Sequence, residues 1–270
     1  MNRRVIALLG VLLAIVFVHN AFSNDHGWGS DHRIKGSGEL KTVTQDLDEF
    51  HAVSYGTLGT LYIEIGDKEQ LEIEAEDNLI EHFEAVVRNG KLIIRNSEDH
   101  LNLSPRRPVK FYLTVRALDE IRILSSGDIV APDFTAKRFT ITTMSSGDLK
   151  MGTIQCDAAE ITVLSSGDVT LEGLTADELD VEISSSGDVS IGDGRVTEQT
   201  ISINSSGDYD ARNVKSERVH ARTLSSGDIR VNVSEQLEAR TTSSGDIVYY
   251  GNPRVNMHES SSGDVRHARR

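Results

Sequence analysis

Four residues, Ser-Ser-Gly-Asp, recur eight times in the second half of this chain, beginning at Ser125, Ser145, Ser165, Ser185, Ser205, Ser225, Ser243 and Ser261. Successive copies stand 20, 20, 20, 20, 20, 18 and 18 residues apart. A unit of that length cannot bury its own apolar face and closes a core only by stacking on its neighbours. The apolar residues keep step with the repeat. Two residues after each Gly stand Ile129, Leu149, Val169, Val189, Tyr209, Ile229, Ile247 and Val265; six before it stand Ile121, Ile141, Ile161, Val181, Ile201, Ala221, Ala239 and Met257. Around these positions apolar and polar residues alternate, the period of a half-buried strand. Each repeat therefore supplies a strand before the Gly and another after it. A short third stretch around Phe134, Ile154, Leu174 and Val214 brings the chain back. One repeat is one coil, and stacked coils pair in parallel with like positions about 4.8 Å apart. A propeller blade needs about 40 residues and four strands, so the repeat specifies an all-β fold, a parallel β-helix (solenoid) with 18–20-residue coils.

The turn itself has a physical reading. Gly is expected to take the positive φ of a sharp corner. The first Ser continues the inward alternation, and Ser hydroxyl and Asp carboxylate groups are expected to bond backbone groups of the turn or of a neighbouring coil.

Upstream, residues 36–116 are also β-rich, as in Leu61-Tyr62-Ile63-Glu64-Ile65, and read as earlier, less regular coils of the same solenoid, with a separate small β domain as the alternative. Asn89-Gly90 is a hairpin turn between Phe83–Arg88 and Lys91–Arg95. Asp77–Phe83 is expected to form one helical turn, and residues 117–270 form the regular repeat.

The first 23 residues read as a signal peptide. Arg3 and Arg4 are a basic start, Val5–Val18 is an apolar run, and Ala21-Phe22-Ser23 supplies small residues for cleavage after Ser23. The run is short for a membrane span, which needs about 20 residues; an uncleaved N-terminal membrane anchor is the rival reading. Residues 24–35, rich in Gly, Ser, Asp and His, read as a flexible spacer. The mature chain is thus expected to be exported to the periplasm or the cell surface. Its single cysteine, Cys156, has no internal partner and reads as a small buried hydrophobe. Acidic residues outnumber basic ones 42 to 28, a formal net charge of −14. That disfavours nucleic acid, which requires a cationic footprint, and simple docking on anionic lipid.

Several strings carry a family resemblance: Gly36-Ser37-Gly38, Asp48-Glu49-Phe50-His51-Ala52-Val53, Asn89-Gly90-Lys91-Leu92-Ile93-Ile94, and the Ser-Ser-Gly-Asp units. From Gly36 onward the chain resembles the auto-transporter adhesin head GIN domain family of bacterial envelope proteins. The resemblance implies a right-handed parallel β-helix and an adhesin-like role, and it brings no catalytic residues and no cofactor.

Three functional readings follow from the residues. The Asp column Asp128, Asp148, Asp168, Asp188, Asp208, Asp228, Asp246 and Asp264 lines one edge, where neighbouring carboxylates repel by roughly 1 kcal/mol in water. Hydrogen bonds from the turns offset that in one account; bound Ca²⁺, a cation that takes several oxygen ligands, offsets it in the other and would make the chain a calcium-stabilised surface scaffold. A polysaccharide-acting β-helix enzyme is the second reading, since Asp210 and Arg212 are of the right type; no cluster interrupts the repeat as a grafted site would, so no catalytic residue is assigned. The third, preferred reading is a non-enzymatic, adhesin-like binding or structural module of the envelope. Leu124, Met144, Leu164 and Leu224, three before the Gly, form an apolar strip that faces outward and can mark a partner site. The partner would be an envelope protein or glycan, and open strand edges at the solenoid ends allow self-association.

Overall fold

The computed structural model describes residues 33–98 and 101–268. The expected signal peptide, the Ser23 cleavage point and most of the spacer lie outside the described residues; the spacer's last residues, Arg33–Lys35, are not a flexible linker but a short strand paired in parallel with Asn102–Ser104.

The repeat folds as its periodicity requires. In the strand Arg138–Thr143, Phe139, Ile141 and Thr143 point inward and are buried. Ile141 lies in parallel register between Ile121 and Ile161, and the line continues through Val181, Ile201, Ala221 and Ala239 to Met257. After the corner, Ile129, Leu149, Val169, Val189, Tyr209, Ile229, Ile247 and Val265 stack in a second line. Phe134, Ile154 and Leu174 stack on a short third face, which in the first of these coils is separated by a strand break at Pro132-Asp133. The alternating pattern shifts by one residue there, from Met151 to Ile154. The chain is therefore a stacked β-solenoid with one core running along its axis. Each fully buried Leu, Ile or Val in it contributes about 1.5–3 kcal/mol.

The two residues missing from the later repeats are lost on the third side. Pairing between Tyr209–Thr223 and Ile229–Thr241 shifts register between Ala211 and Lys215 and again between Ser216 and Arg218. The apolar columns and the Ser-Ser-Gly-Asp corner keep their alignment across the deletion.

The N-terminal part joins the same ladder in an order that differs from the order of the chain. Ala52–Gly56 pairs in parallel with Glu120–Ile123, and Thr60–Ile65 with Asp128–Ala131. On the far side of that coil lie Lys91–Asn96 and Lys110–Val115, which come later in sequence. Antiparallel strands then close this end. Phe83–Arg88 returns through Asn89 (φ 53°) and Gly90 (φ 73°) to pair with Lys91–Asn96, two successive positive φ values that define a type I′ hairpin. Gln70–Glu76 pairs antiparallel with Lys110–Val115, and Leu40–Asp46 covers it in turn. Ile80–His82 forms a single 3-10 turn inside the segment expected to be helical. Phe111, at the centre of this end, meets Tyr55 and Phe83 edge to face at 5.6 and 5.3 Å.

One buried carboxylate ties the leading segment down. Glu76 accepts the backbone N–H groups of Gly38 at 2.6 Å and Arg106 at 2.8 Å. A Cβ on Gly36 would fall 1.9 Å from a Glu76 carboxylate oxygen, so this contact needs glycine.

Candidate interaction surface

The corner between the first two faces is where the repeated residues act. Gly127, Gly147, Gly167, Gly187, Gly207, Gly227, Gly245 and Gly263 do not adopt positive φ, contrary to expectation; among the described residues the positive-φ glycines are Gly38, Gly59, Gly90, Gly194 and Gly251. The corner glycines answer a different demand. A Cβ on Gly147 would lie 2.2 Å from the Gly127 carbonyl oxygen, and one on Gly207 would lie 2.2 Å from that of Gly187. The glycines stack on one another so closely that no side chain fits between coils, which is the close-approach use of glycine rather than its conformational freedom.

The Asp side chains run along this stack. The N–H of Asp148 donates to the Asp128 carboxylate at 3.0 Å, and the same bond repeats from Asp168 to Asp148, Asp188 to Asp168, Asp208 to Asp188, Asp228 to Asp208, Asp246 to Asp228 and Asp264 to Asp246, all at 2.8–3.0 Å. One oxygen of each of these seven acceptors is thus committed to the next coil. Arg230 lies 3.0 Å from Asp228 and 3.6 Å from Asp208, and Arg266 lies 2.9 Å from Asp246. Among the described residues, no group of three His, Cys, Asp or Glu is placed to hold a metal ion.

The first Ser of each corner is half-buried in most coils, and its main chain carries the ladder: the Gly167 N–H donates to the Ser145 carbonyl at 3.1 Å, with counterparts up the stack. Inside the corner, the Thr223 and Thr241 hydroxyls donate to the carbonyls of Gly227 and Gly245 at 2.8 and 2.7 Å. The sequence reading missed a ninth corner, Thr57-Leu58-Gly59-Thr60, on which Asp128 sits through an N–H bond to the Gly59 carbonyl at 2.9 Å. Its signal was present: Val53 stands six residues before Gly59 and Leu61 two after it.

Beside this corner Leu124, Met144 and Leu164 occupy adjacent rungs, held by N–H bonds to the carbonyls of Tyr55, Ile123 and Thr143 at 2.8–2.9 Å. They are 45%, 47% and 43% exposed. Ser184 and Asn204 occupy the next two rungs, so Leu224, which is half-buried, stands about 14 Å from Leu164 by rung spacing. The continuous strip is therefore Leu124, Met144 and Leu164 alone.

Asp210 and Arg212 form a local ion pair, with Arg212 Nε 2.9 Å from Asp210 Oδ1. Burial alone would push Asp210 up, but the hydrogen bonds and charge of Arg212, with Arg230 nearby, hold it below the usual carboxylate range. Cys156 is half-buried rather than buried, and burial pushes its thiol up to about 11.

Comparison with known proteins agrees with this architecture. No curated protein matches the chain in sequence. Its fold is similar to that of a "putative adhesin" from Parabacteroides merdae ATCC 43184, with a TM-score of 0.80 and 20% identity over 88% of this chain and 100% of that one. It is similar to a "putative adhesin" from Parabacteroides distasonis ATCC 8503, with a TM-score of 0.79 and 20% identity over 87% and 100%. A "putative lipid binding protein" from the same organism has a TM-score of 0.76 and 22% identity over 88% and 100%. Identities this low establish the fold alone. The family model described as "Putative auto-transporter adhesin, head GIN domain" matches residues 49–253, most of the described solenoid, and the chain belongs to that family.

Proposed function

We propose that this protein is an exported, non-enzymatic binding module of the bacterial envelope, displayed in the periplasm or on the cell surface. The observation that carries the reading is the exposed apolar strip of Leu124, Met144 and Leu164, set on a backbone ladder that fixes its geometry. Solenoids present long regular faces suited to extended partners. An apolar strip flanked by serines and carboxylates offers contact area together with a polar rim, the general anatomy of an interface. The family, whose description names an adhesin head, supports the same reading.

The test pairs location with contact. Fractionation of cells should place the native protein in the envelope. A photocrosslinker at Leu164 should then join it there to one discrete partner, and the Leu124→Ser, Met144→Ser, Leu164→Ser variant should lose that product while melting as the parent does. A cytoplasmic location, or a crosslink indifferent to the triple change, would refute the proposal.

A further inference from the structure

The two ends of the solenoid are finished differently. At the N-terminal end the second line of inward residues runs out through antiparallel strands into Lys41, Val43 and Gln45, the first line ends in Phe83–Arg88, and Gln45 reaches across to the Ala85 carbonyl at 3.2 Å. That end carries a polar lid of the kind a repeat stack needs for solubility. At the other end the outermost described rung consists of Arg254–Glu259 and Val265–His267. Among the described residues these strands pair on one side only, with Ile229–Thr241 and Ile247–Tyr250. All six residues of Arg254–Glu259 are exposed, although Val255 and Met257 occupy the inward columns above Leu237 and Ala239. Leu237 and Ala239 are 0% and 1% exposed; Val255 and Met257 are 37% and 57%. Polar capping is confined to one corner, where the Glu259 carboxylate accepts the Val265 N–H at 2.7 Å. Open strand edges with apolar inward residues are templates for pairing with another chain.

We propose that this rung is the interface of a two-fold symmetric dimer, in which Arg254–Glu259 pairs antiparallel with the same strand of a second copy. The strand selects one register. Opposed residues of an antiparallel pair share a face, so Asn256 opposite Asn256 of the second copy sets Val255 against Met257 twice and joins the two cores. A shift one way sets Val255 against Glu259 and presses a carboxylate onto apolar surface. A shift the other way leaves Met257 opposite Pro253. A head-to-tail stack of two copies would instead set Met257 against the column that ends at Val87 of Phe83–Arg88, and it offers no self-complementary register centred on Asn256. Two solenoids joined in this way also present two copies of the Leu124 strip, and bivalent contact raises avidity without new chemistry.

Asn256 on the two-fold axis makes the proposal testable. Opposed residues of an antiparallel pair have Cα atoms about 4.5–5.5 Å apart, within the roughly 4.4–6.8 Å that a disulfide spans. With Cys156→Ser to remove the native thiol, the Asn256→Cys protein should oxidise to a covalent dimer, whereas Ser262→Cys, on the outer corner, should not. Light scattering should give twice the chain mass for the parent and the chain mass for Met257→Asp, with unchanged circular dichroism. A parent that stays monomeric at its highest soluble concentration overturns the proposal. So does a dimer that survives Met257→Asp, or one that Asn256→Cys fails to lock, which would point to head-to-tail stacking. None of these readouts requires a binding partner, so they stand or fall apart from the envelope-binding role.

Discussion

The backbone N–H of Asp148 donates to the carboxylate of Asp128, its counterpart one coil earlier, at 3.0 Å. The repetition of that bond up the corner turns a column of like charges into a hydrogen-bonded spine. Bonds to a carboxylate are about twice as strong as neutral ones. Asp188→Ala should therefore strand the Asp208 N–H, now bonded at 2.8 Å, and destabilise the protein by about 1–3 kcal/mol. Asp188→Asn keeps an acceptor oxygen and should cost less. Urea unfolding midpoints compare the two, and equal losses would remove the spine from the account.

The same spine bears on calcium. We propose that the column is structural, because one oxygen of each acceptor carboxylate is already used and Arg230 and Arg266 sit against Asp228 and Asp246. Added calcium should leave the melting temperature unchanged, and chelator should not lower it. A rise that saturates with calcium would restore the metal reading.

The corner glycines should be intolerant for a steric reason. A Cβ at position 207 meets the Gly187 carbonyl at 2.2 Å, backbone that cannot swing away, whereas a Cβ on Gly38 meets nothing within 4 Å. Gly38→Ala should then cost only the strain of its positive φ, about 1–2 kcal/mol. Gly207→Ala forces two coils apart and should cost more than that, or prevent folding. Thermal melts of the soluble fractions give the comparison, and a tolerated Gly207→Ala would contradict the stacking geometry.

Much of this was legible from the residues. The 20-residue period and the inward columns specify the coil, because a parallel ladder makes sequence period and spatial stacking the same thing. The repeat shows where the corner glycines stand but not why: a turn suggests φ, while contact with the coil below is a long-range fact that no single repeat displays. The N-terminal coils resisted for a related reason. Thr57-Leu58-Gly59-Thr60 keeps only the Gly of the motif, and Lys91–Asn96 stacks beyond Ala52–Gly56 against chain order, which local periodicity cannot report. Leu224 shares the position of Leu124 in the repeat, but the intervening Ser184 and Asn204 break the strip in space.

Asp210 supplies a pH dependence. Its carboxyl lies below the usual range chiefly because Arg212 outweighs the opposing effect of burial. A depressed carboxylate contributes stability above its unfolded pKa of about 3.9, and that contribution is lost as pH falls through the lower folded value. Arg212→Gln should move Asp210 upward, lower stability at neutral pH, and flatten the acid limb below about pH 4. Superimposable pH–stability curves for the two proteins would show the pair to be idle.

A buried polar chain links the interiors of two adjacent coils. The Tyr209 hydroxyl donates to Gln199 Oε1 at 2.7 Å, and the Gln199 amide donates to the Ser216 hydroxyl, with all three residues almost inaccessible. Burial drives the Tyr209 phenol far above its ordinary range, so it remains a donor at any working pH. Tyr209→Phe leaves the Gln199 oxygen unpaired in the core and should cost about 1–3 kcal/mol. Replacing the whole chain with Tyr209→Phe, Gln199→Leu and Ser216→Ala should recover much of that loss, since no polar atom is then stranded. Near-identical coils can slip past one another by a whole repeat, and a polar contact unique to one level opposes such slippage in the way a single buried Asn fixes coiled-coil register. The triple variant should consequently refold with additional slow phases or a broadened amide spectrum even if its midpoint is restored. Clean two-state refolding would leave the chain with stability as its only role.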